Sequence, residues 1–313
     1  MPYRIKQKER VEKAVRRIVR EQLRDAIRAA RDRKLGQEER VHEVRTRLKR
    51  SRAALSLIRR QAGGAAERDD KRLRDAGRLL ARPRDLAVQA HTFRVLGTRL
   101  QAELPPRLLA RLAAAERQIR RTLQPEDVER DLKRAKRALR RLRRELGDWD
   151  VGSGRRAIGH GVTRTYRNGL ASLQAARAQP TPERFHDWRK QVKALSYELR
   201  IIASAVPELT TTLIPKIERL GEILGQVHDL DCVKATAELH PRWFGRSADG
   251  EAVRVAVDQR RAELEAEALM LAETVFAGRV RDVRALVKTG WRIWRKGEPA
   301  EPVLALAHAG QAG

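Results

Sequence analysis

Apolar residues recur every three to four positions along nearly the whole chain, and runs that alternate apolar and polar residues are absent. A 3.6-residue period is typical of helices with one buried face, whereas alternation indicates strands. The pattern therefore predicts an all-α fold. Helices are expected at about 5–34, 38–61, 67–82, 84–103, 106–121, 125–147, 155–178, 182–204, 208–226, 228–240, 250–277 and 279–296.

Proline and glycine residues mark the ends of these helices, as at Gly63-Gly64. Thr181 before Pro182 predicts an N-cap with proline at the first helical position. We expect a single domain over residues 1–296. A tail rich in Pro, Ala and Gly, residues 297–313, is expected to be flexible.

The chain repeats itself at an offset of 144 positions, without a gap. The matching positions include His42 with His186, Arg45 with Arg189, Lys49 with Lys193, and Asp85-Leu86 with Asp229-Leu230. Chance does not readily supply so many matches of different residue types in one order. We infer two related helical halves, about 5–150 and 155–296, packed about a pseudo-twofold axis that brings the two motif helices together.

Steps of 100° per residue place the cations of each motif helix in one stripe beside its apolar face. In the first half the stripe holds His42, Arg45, Lys49 and Arg52, whereas Arg47 and Arg50 point elsewhere. In the second half the stripe and its margins hold His186, Arg189, Lys190, Lys193, Tyr197 and Arg200. Two such stripes that face each other would form a basic central groove or pore.

Three simpler interpretations compete with an anion-binding groove. Lys and Arg stems can lie over the rim of a core in any amphipathic helix, but this does not account for the lack of acids in the stripes. Metal ligation by His42 and His186 is disfavoured by the surrounding cations, and no carboxylate or second His stands four positions on. Catalysis lacks a nucleophile or a paired-carboxylate motif, so we expect neither enzyme activity, a metal nor a cofactor.

Charge strengthens the groove interpretation. The 313 residues include 69 Lys and Arg against 41 Asp and Glu, a net charge of +28. Such an excess favours a polyanionic partner, because it carries a large self-repulsion that a polyanion relieves. Aromatic residues make up only 4% of the chain, which favours a ligand that has phosphates but no bases to stack on.

Other features point to location and packing. The charged N-terminus and the absence of a long apolar run predict a cytoplasmic protein without membrane insertion. Cys232 is the only cysteine, so no intrachain disulfide forms. Asp85 and Asp229 are interpreted as N-caps, or alternatively as partners that orient a stripe residue. The basic helix at 131–145 is either a solvated face or a second basic surface. Trp291 and Trp294 are predicted to anchor the core.

The motifs resemble those of the CHAD family, the conserved-histidine α-helical domain. Its first signature is similar to His42-x-x-Arg45-x-x-x-Lys49-Arg50-x-Arg52-x-x-Leu55, and its second to His186-x-x-Arg189-Lys190-x-x-Lys193-x-x-x-Tyr197. Arg84-Asp85-Leu86 and the segment 224–231 look like two further family elements, although His228 stands where the family tends toward Asn. The resemblance covers about residues 5–296 and adds Arg50 to the candidate site.

This resemblance implies a bacterial polyphosphate-binding domain, often resident at polyphosphate granules, in its stand-alone form without a triphosphate-tunnel domain. We therefore expect the paired motifs to bind long-chain inorganic polyphosphate, with targeting or scaffolding at granules. The alternative is a protein that binds the phosphate backbone of RNA or DNA. Nucleic acid also stays open as a second ligand at low salt, as does the oligomeric state.

Overall fold

The computed structural model describes residues 3–99, 101, 105–240 and 248–297, and every regular element within them is an α-helix. The all-α prediction is thereby confirmed. The helices are α1 Val11–Ala29, α2 Gln37–Arg78, α3 Ala81–Arg99, α4 Pro106–Thr122, α5 Pro125–Arg144, α6 Gly154–Ala178, α7 Pro182–Ile202, α8 Pro207–Leu239, α9 Ala248–Val275 and α10 Val280–Lys296.

Proline occupies the first turn of α4, α5, α7 and α8, and glycine ends α10, for the reasons that the sequence suggested. The Thr181 hydroxyl accepts a hydrogen bond from the Arg184 backbone N–H at 3.4 Å, and Pro182 occupies the first turn of α7. The predicted N-cap is therefore confirmed. Helix α10 ends at Gly297, whose φ of +76° is the left-handed conformation that glycine adopts without strain.

Helix α2 reverses its direction at Gly63, where φ is +55° and ψ is −143°. Arg52 Nε donates to Asp70 Oδ1 at 2.7 Å and Arg59 Nε to Glu67 Oε1 at 3.2 Å. Such pairs meet only if residues 37–62 and 64–78 run antiparallel. The break predicted at Gly63-Gly64 is confirmed, and the second segment folds back over the motif helix.

The break predicted between 226 and 228 is wrong, because α8 runs through it without interruption. As a consequence Asp229 lies inside α8, and Asp85 likewise lies beyond the start of α3. Neither residue caps a helix. The predicted tail from 297 lies outside the described residues except for Gly297 itself.

The core runs through both halves. Its largest fully buried side chains include Trp188, Tyr166, Phe93 and Phe185. Trp291 is 4% exposed and Trp294 packs against the core, so both anchor α10 as predicted. Helix α2 contacts α6 and α7, and α3 contacts α8. These contacts join the two halves at the motif helices.

At the 144-position offset, α1 corresponds to α6, the first segment of α2 to α7, α3 to the end of α8, and α4 to α9. The contacts α1–α2 and α3–α4 have their counterparts in α6–α7 and α8–α9. The internal repeat remains a prediction that agrees with this packing. Among the described helices, none combines the length and the apolar composition that a bilayer crossing requires.

Candidate functional site

The motif helices α2 and α7 each bury the apolar face that the sequence predicted. Val41, Val44, Leu48 and Leu55 of α2 are at most 3% exposed. Because these side chains fix the rotation of the helix, the neighbouring cations are held at the edge of the core with part of each stem covered.

Cations from three helices meet where α2 and α7 pack together. We call this group, with His42 and His186, the paired-motif site. Its cations are Arg45 and Lys49 of α2, Arg84 of α3, and Arg189 and Lys193 of α7. Although Lys49 reaches the surface, its partial burial and then the charges of Arg189, Arg45, Arg84 and Lys193 together lower its pKa to about 8. The charges of Arg45, Arg189 and Lys193 therefore all act on Lys49, and the groove between the two stripes stays a prediction.

Two carboxylates accompany these cations, one from each half. Asp85 lies near Arg45, and Asp229 lies near Arg189 and Arg84. Burial raises the pKa of both carboxyl groups, and the adjacent guanidinium groups oppose that rise. Their nearness to Arg45, Arg84 and Arg189 agrees with the alternative role of orienting a stripe residue, which stays a prediction. Two negative charges against five positive charges leave the site strongly cationic.

Close backbone approach also positions the site. Arg45 Nη1 donates to the Gly77 carbonyl oxygen at 2.9 Å, across the reversal in α2. In the second half, the place of a Cβ on Gly221 lies 3.1 Å from Lys193 Nζ, and that on Gly225 lies 3.7 Å from Arg189 Nε. A larger side chain at Gly221 would displace the ammonium group.

Several donors in the site are buried without an acceptor. Arg45 Nε, Arg189 Nε and the neighbouring Arg50 Nε have no hydrogen-bond partner within the described residues, and neither does His186 Nδ1. Buried polar groups in folded proteins normally have partners. Unpaired guanidinium N–H groups in a cationic cluster are suited to an anion that supplies oxygen acceptors.

The two motif histidines lie beside these cations. Burial and the nearby charges of Arg84 and Lys49 lower the pKa of His42, although Glu43 opposes them. Burial, Lys190 and Arg189 likewise lower the pKa of His186. Both imidazoles are therefore mainly neutral at pH 7 until an anion offsets the surrounding positive charge.

The other candidate residues lie outside this cluster or are already paired. Arg52 is bonded to Asp70 and Arg200 to Glu218, so each has a carboxylate partner from the adjacent antiparallel segment. Lys190 is exposed and its Nζ donates to Asp187 Oδ1 at 2.9 Å.

Arg50 does not point away as its position on the helical wheel suggested. Its guanidinium lies 5.8 Å from the Tyr3 ring centroid, and its charge, with those of Arg200 and Arg189, opposes the rise that burial causes in the pKa of Tyr197. Arg50 of α2 and Tyr197 of α7 thus lie close to each other, next to Arg189 of the paired-motif site. Arg47 does point away, toward Glu43 at 3.0 Å and Asp25 of α1 at 3.9 Å.

Sequence reasoning missed Arg84 and His228, which correspond to each other at the repeat offset. Arg84 is central to the cluster, and the His228 ring centroid lies 4.4 Å from that of His186. Burial and the charges of His186, Arg189, Arg84 and Lys190 lower the pKa of His228 to about 4. Their place in the sequence could have indicated both residues, because each directly precedes one of the repeated aspartates, Asp85 and Asp229.

The basic helix α5 is not part of the site. Arg40 of α2 is paired with Glu129 of α5, which places α5 on the face of α2 that turns away from His42. Its cations Arg134, Arg137, Arg140 and Arg144 are exposed. Within the described part of the chain, His, Cys, Asp and Glu side chains form no group of three that could hold a metal ion.

The fold and the site together define an all-α protein whose motif helices present histidine, arginine and lysine to each other. The family model for the CHAD domain matches residues 17–238, and the chain belongs to the CHAD domain family. The structure is similar to the "Crystal structure of the CHAD domain from the plant Ricinus communis", with a TM-score of 0.52 and 19% sequence identity over 92% of this chain and 96% of that one. No curated protein matches the chain.

Proposed function

We propose that this protein binds long-chain inorganic polyphosphate at the paired-motif site and acts as a binding or scaffolding protein and not as an enzyme. The observation that carries the proposal is the meeting of five cations from both halves around buried N–H donors that lack acceptors. A linear polyphosphate presents anionic oxygens along its whole length, and arginine forks bind such oxygens through charge-assisted hydrogen bonds.

The arrangement of aromatic side chains supports polyphosphate over a nucleic acid. Within the described residues, large aromatic side chains such as Trp188, Phe185 and Tyr166 are buried in the core. Single-strand nucleic-acid binders use exposed aromatic faces on which bases stack, whereas a phosphate chain needs only cations and N–H donors. Residence at polyphosphate granules, which the family resemblance implies, follows from this function as part of the proposal.

A nucleic acid remains the second candidate because α5 offers an exposed row of arginines. That row would bind a phosphodiester backbone without reading its sequence. The two functions use different faces of α2, so variants can separate them.

The test compares affinity for long-chain polyphosphate with that for RNA and DNA of matched length, at near-physiological salt. The wild type is set beside a four-alanine variant, Arg45/Lys49/Arg189/Lys193→Ala, and a control, Lys133/Arg137/Arg140/Arg144→Ala, which removes the same formal charge from α5. Wild type should prefer polyphosphate. At about 1.5 kcal/mol for each hydrogen bond to a charged group, four lost contacts amount to about 6 kcal/mol, so the four-alanine variant should lose on the order of ten-thousandfold in affinity. Equal affinity for all three polymers would contradict the proposal.

A further inference from the structure

A second group of cations lies where α2, α6 and α10 come together, away from the paired-motif site. Its centre is His160 of α6, and we call it the His160 cluster. Arg60 of α2, Arg156 of α6, and Arg284 and Lys288 of α10 surround the imidazole. Arg60 follows Lys49 by eleven residues on α2, which corresponds to about 16 Å along the helix axis. The two groups are therefore separate.

The hydrogen bonds of His160 define its protonation state. Arg284 Nη2 lies 3.0 Å from His160 Nε2. A guanidinium group only donates, so Nε2 must accept and the ring proton resides on Nδ1. The side-chain amide of Gln61 lies 3.1 Å from Nδ1, and Gln61 Oε1 is buried without a partner. With the amide turned so that Oε1 accepts from Nδ1–H, both groups are satisfied.

The cluster has positive charge without matching acids. In the described part of the chain, no carboxylate lies within ion-pair distance of Arg60, Arg156, Arg284 or Lys288. Arg284 Nε is also buried without an acceptor. Arg284, Lys288 and His160 are half-buried and form the floor, whereas Arg60 and Arg156 are exposed at the rim. An unneutralised cationic floor with an unused N–H donor is suited to an anion.

We propose that the His160 cluster is a second site that binds one phosphate-sized oxyanion, either free phosphate or the end group of a longer phosphate chain. Arg284 would turn its guanidinium toward the anion. His160 would take up one proton from solvent at Nε2, so that this nitrogen changes from acceptor to donor. Lys288, Arg60 and Arg156 would supply the remaining charge. Burial and the four cations lower the pKa of His160, and a bound anion would reverse the effect of the cations.

Pyrophosphate binding to the four-alanine variant tests this site with the paired-motif site disabled. Calorimetry should find one pyrophosphate per chain. In that background, Arg284→Gln and His160→Ala should each weaken binding at least tenfold. Arg292→Gln is the matched control, since it removes one exposed arginine from the same helix. No binding to the four-alanine variant, or equal losses from Arg284→Gln and Arg292→Gln, would overturn the proposal.

A measurement on the wild-type chain tests the same site without any variant that could fail to fold. The imidazole C2–H resonance of His160 is followed against pH by NMR, with and without saturating pyrophosphate. Bound pyrophosphate should raise the pKa of His160, and an unchanged pKa would overturn the proposal. The result does not depend on whether the paired-motif site binds polyphosphate, so the two proposals can fail separately.

The source of the phosphate is identified by long-chain polyphosphate binding to chains with an intact paired-motif site. If Arg284→Gln weakens this binding more than Arg292→Gln does, the site holds a chain end. If the two variants bind long chains equally and only pyrophosphate binding to the four-alanine variant is lost, the site serves free phosphate. Both results support a site at His160.

Discussion

The proton on Lys49 should make polyphosphate binding depend on pH above neutrality. Burial and four neighbouring cations lower the pKa of this ammonium group to about 8. Phosphate oxygens beside it would restore the pKa toward its ordinary value of 10.5. Binding then requires that Lys49 be protonated, so affinity falls as the pH rises through 8.

The size of the effect follows from the fraction of free protein that carries the proton. With a pKa of about 8, about nine tenths of the lysine is charged at pH 7 and about one tenth at pH 9. The dissociation constant should therefore rise by up to about tenfold over this interval. Water at the exposed part of the side chain reduces the effect below this limit.

The assay is the dissociation constant for long-chain polyphosphate at pH 7, 8 and 9, at constant salt. Lys49→Arg keeps the positive charge throughout because guanidinium does not titrate in this range, so this variant should lose most of the dependence. Lys133→Arg, at an exposed lysine of α5, serves as the control and should behave as the wild type. The same pH profile for wild type and Lys49→Arg would refute the reasoning.

Three further predictions concern the histidines and the core. Binding should strengthen as pH falls through about 6.5, because His42 and His186 gain protons beside phosphate; an affinity that stays flat between about pH 5.5 and 8 would remove their cationic role. Glu198 is fully buried and its pKa is raised to about 7 by burial. Its ionisation thus destabilises the fold as pH rises from 4.5 through 7, by about 3 kcal/mol in total. Thermal unfolding should show Glu198→Gln matching wild type at pH 4.5 and exceeding it at pH 8, and a gap that does not grow with pH would contradict this. A Cβ on Gly161 would lie 2.6 Å from the Leu57 carbonyl oxygen, so Gly161→Ala should cost about 1–3 kcal/mol of unfolding free energy, whereas Gly64→Ala, with ordinary spacing, should cost nothing.

Many helix ends could be predicted from the sequence, because the residues at a helix end largely determine where the helix starts or stops. Thr181-Pro182 starts α7 and Gly63 reverses α2, as glycine and proline chemistry predicts. The continuous α8 was not predicted, since separate helices were expected at 208–226 and 228–240. Gly225 is instead buried inside the helix beside Arg189, where its lack of a side chain makes room for the guanidinium.

The stripe residues Arg45, Lys49, Arg189 and Lys193 could be predicted because the repeat and the helical period agree on them. Arg84 could not, since its counterpart at the repeat offset is a histidine, and because its role depends on the packing of α3 on α8. The orientation of Arg50 could not be predicted from a helical wheel of α2 alone. Its guanidinium lies near Tyr3 and Tyr197, which belong to other parts of the chain.

The salt dependence of polyphosphate binding tests most directly whether the four stripe cations contact phosphate. The logarithm of affinity falls against the logarithm of salt concentration by about 0.7 for each phosphate contact of a single strand. The four-alanine variant should therefore show a slope shallower than that of the wild type by about 3, whereas the α5 control should keep the wild-type slope. The same slope in all three proteins, or an equal decrease in both variants, would contradict a polyphosphate site between the two motif helices.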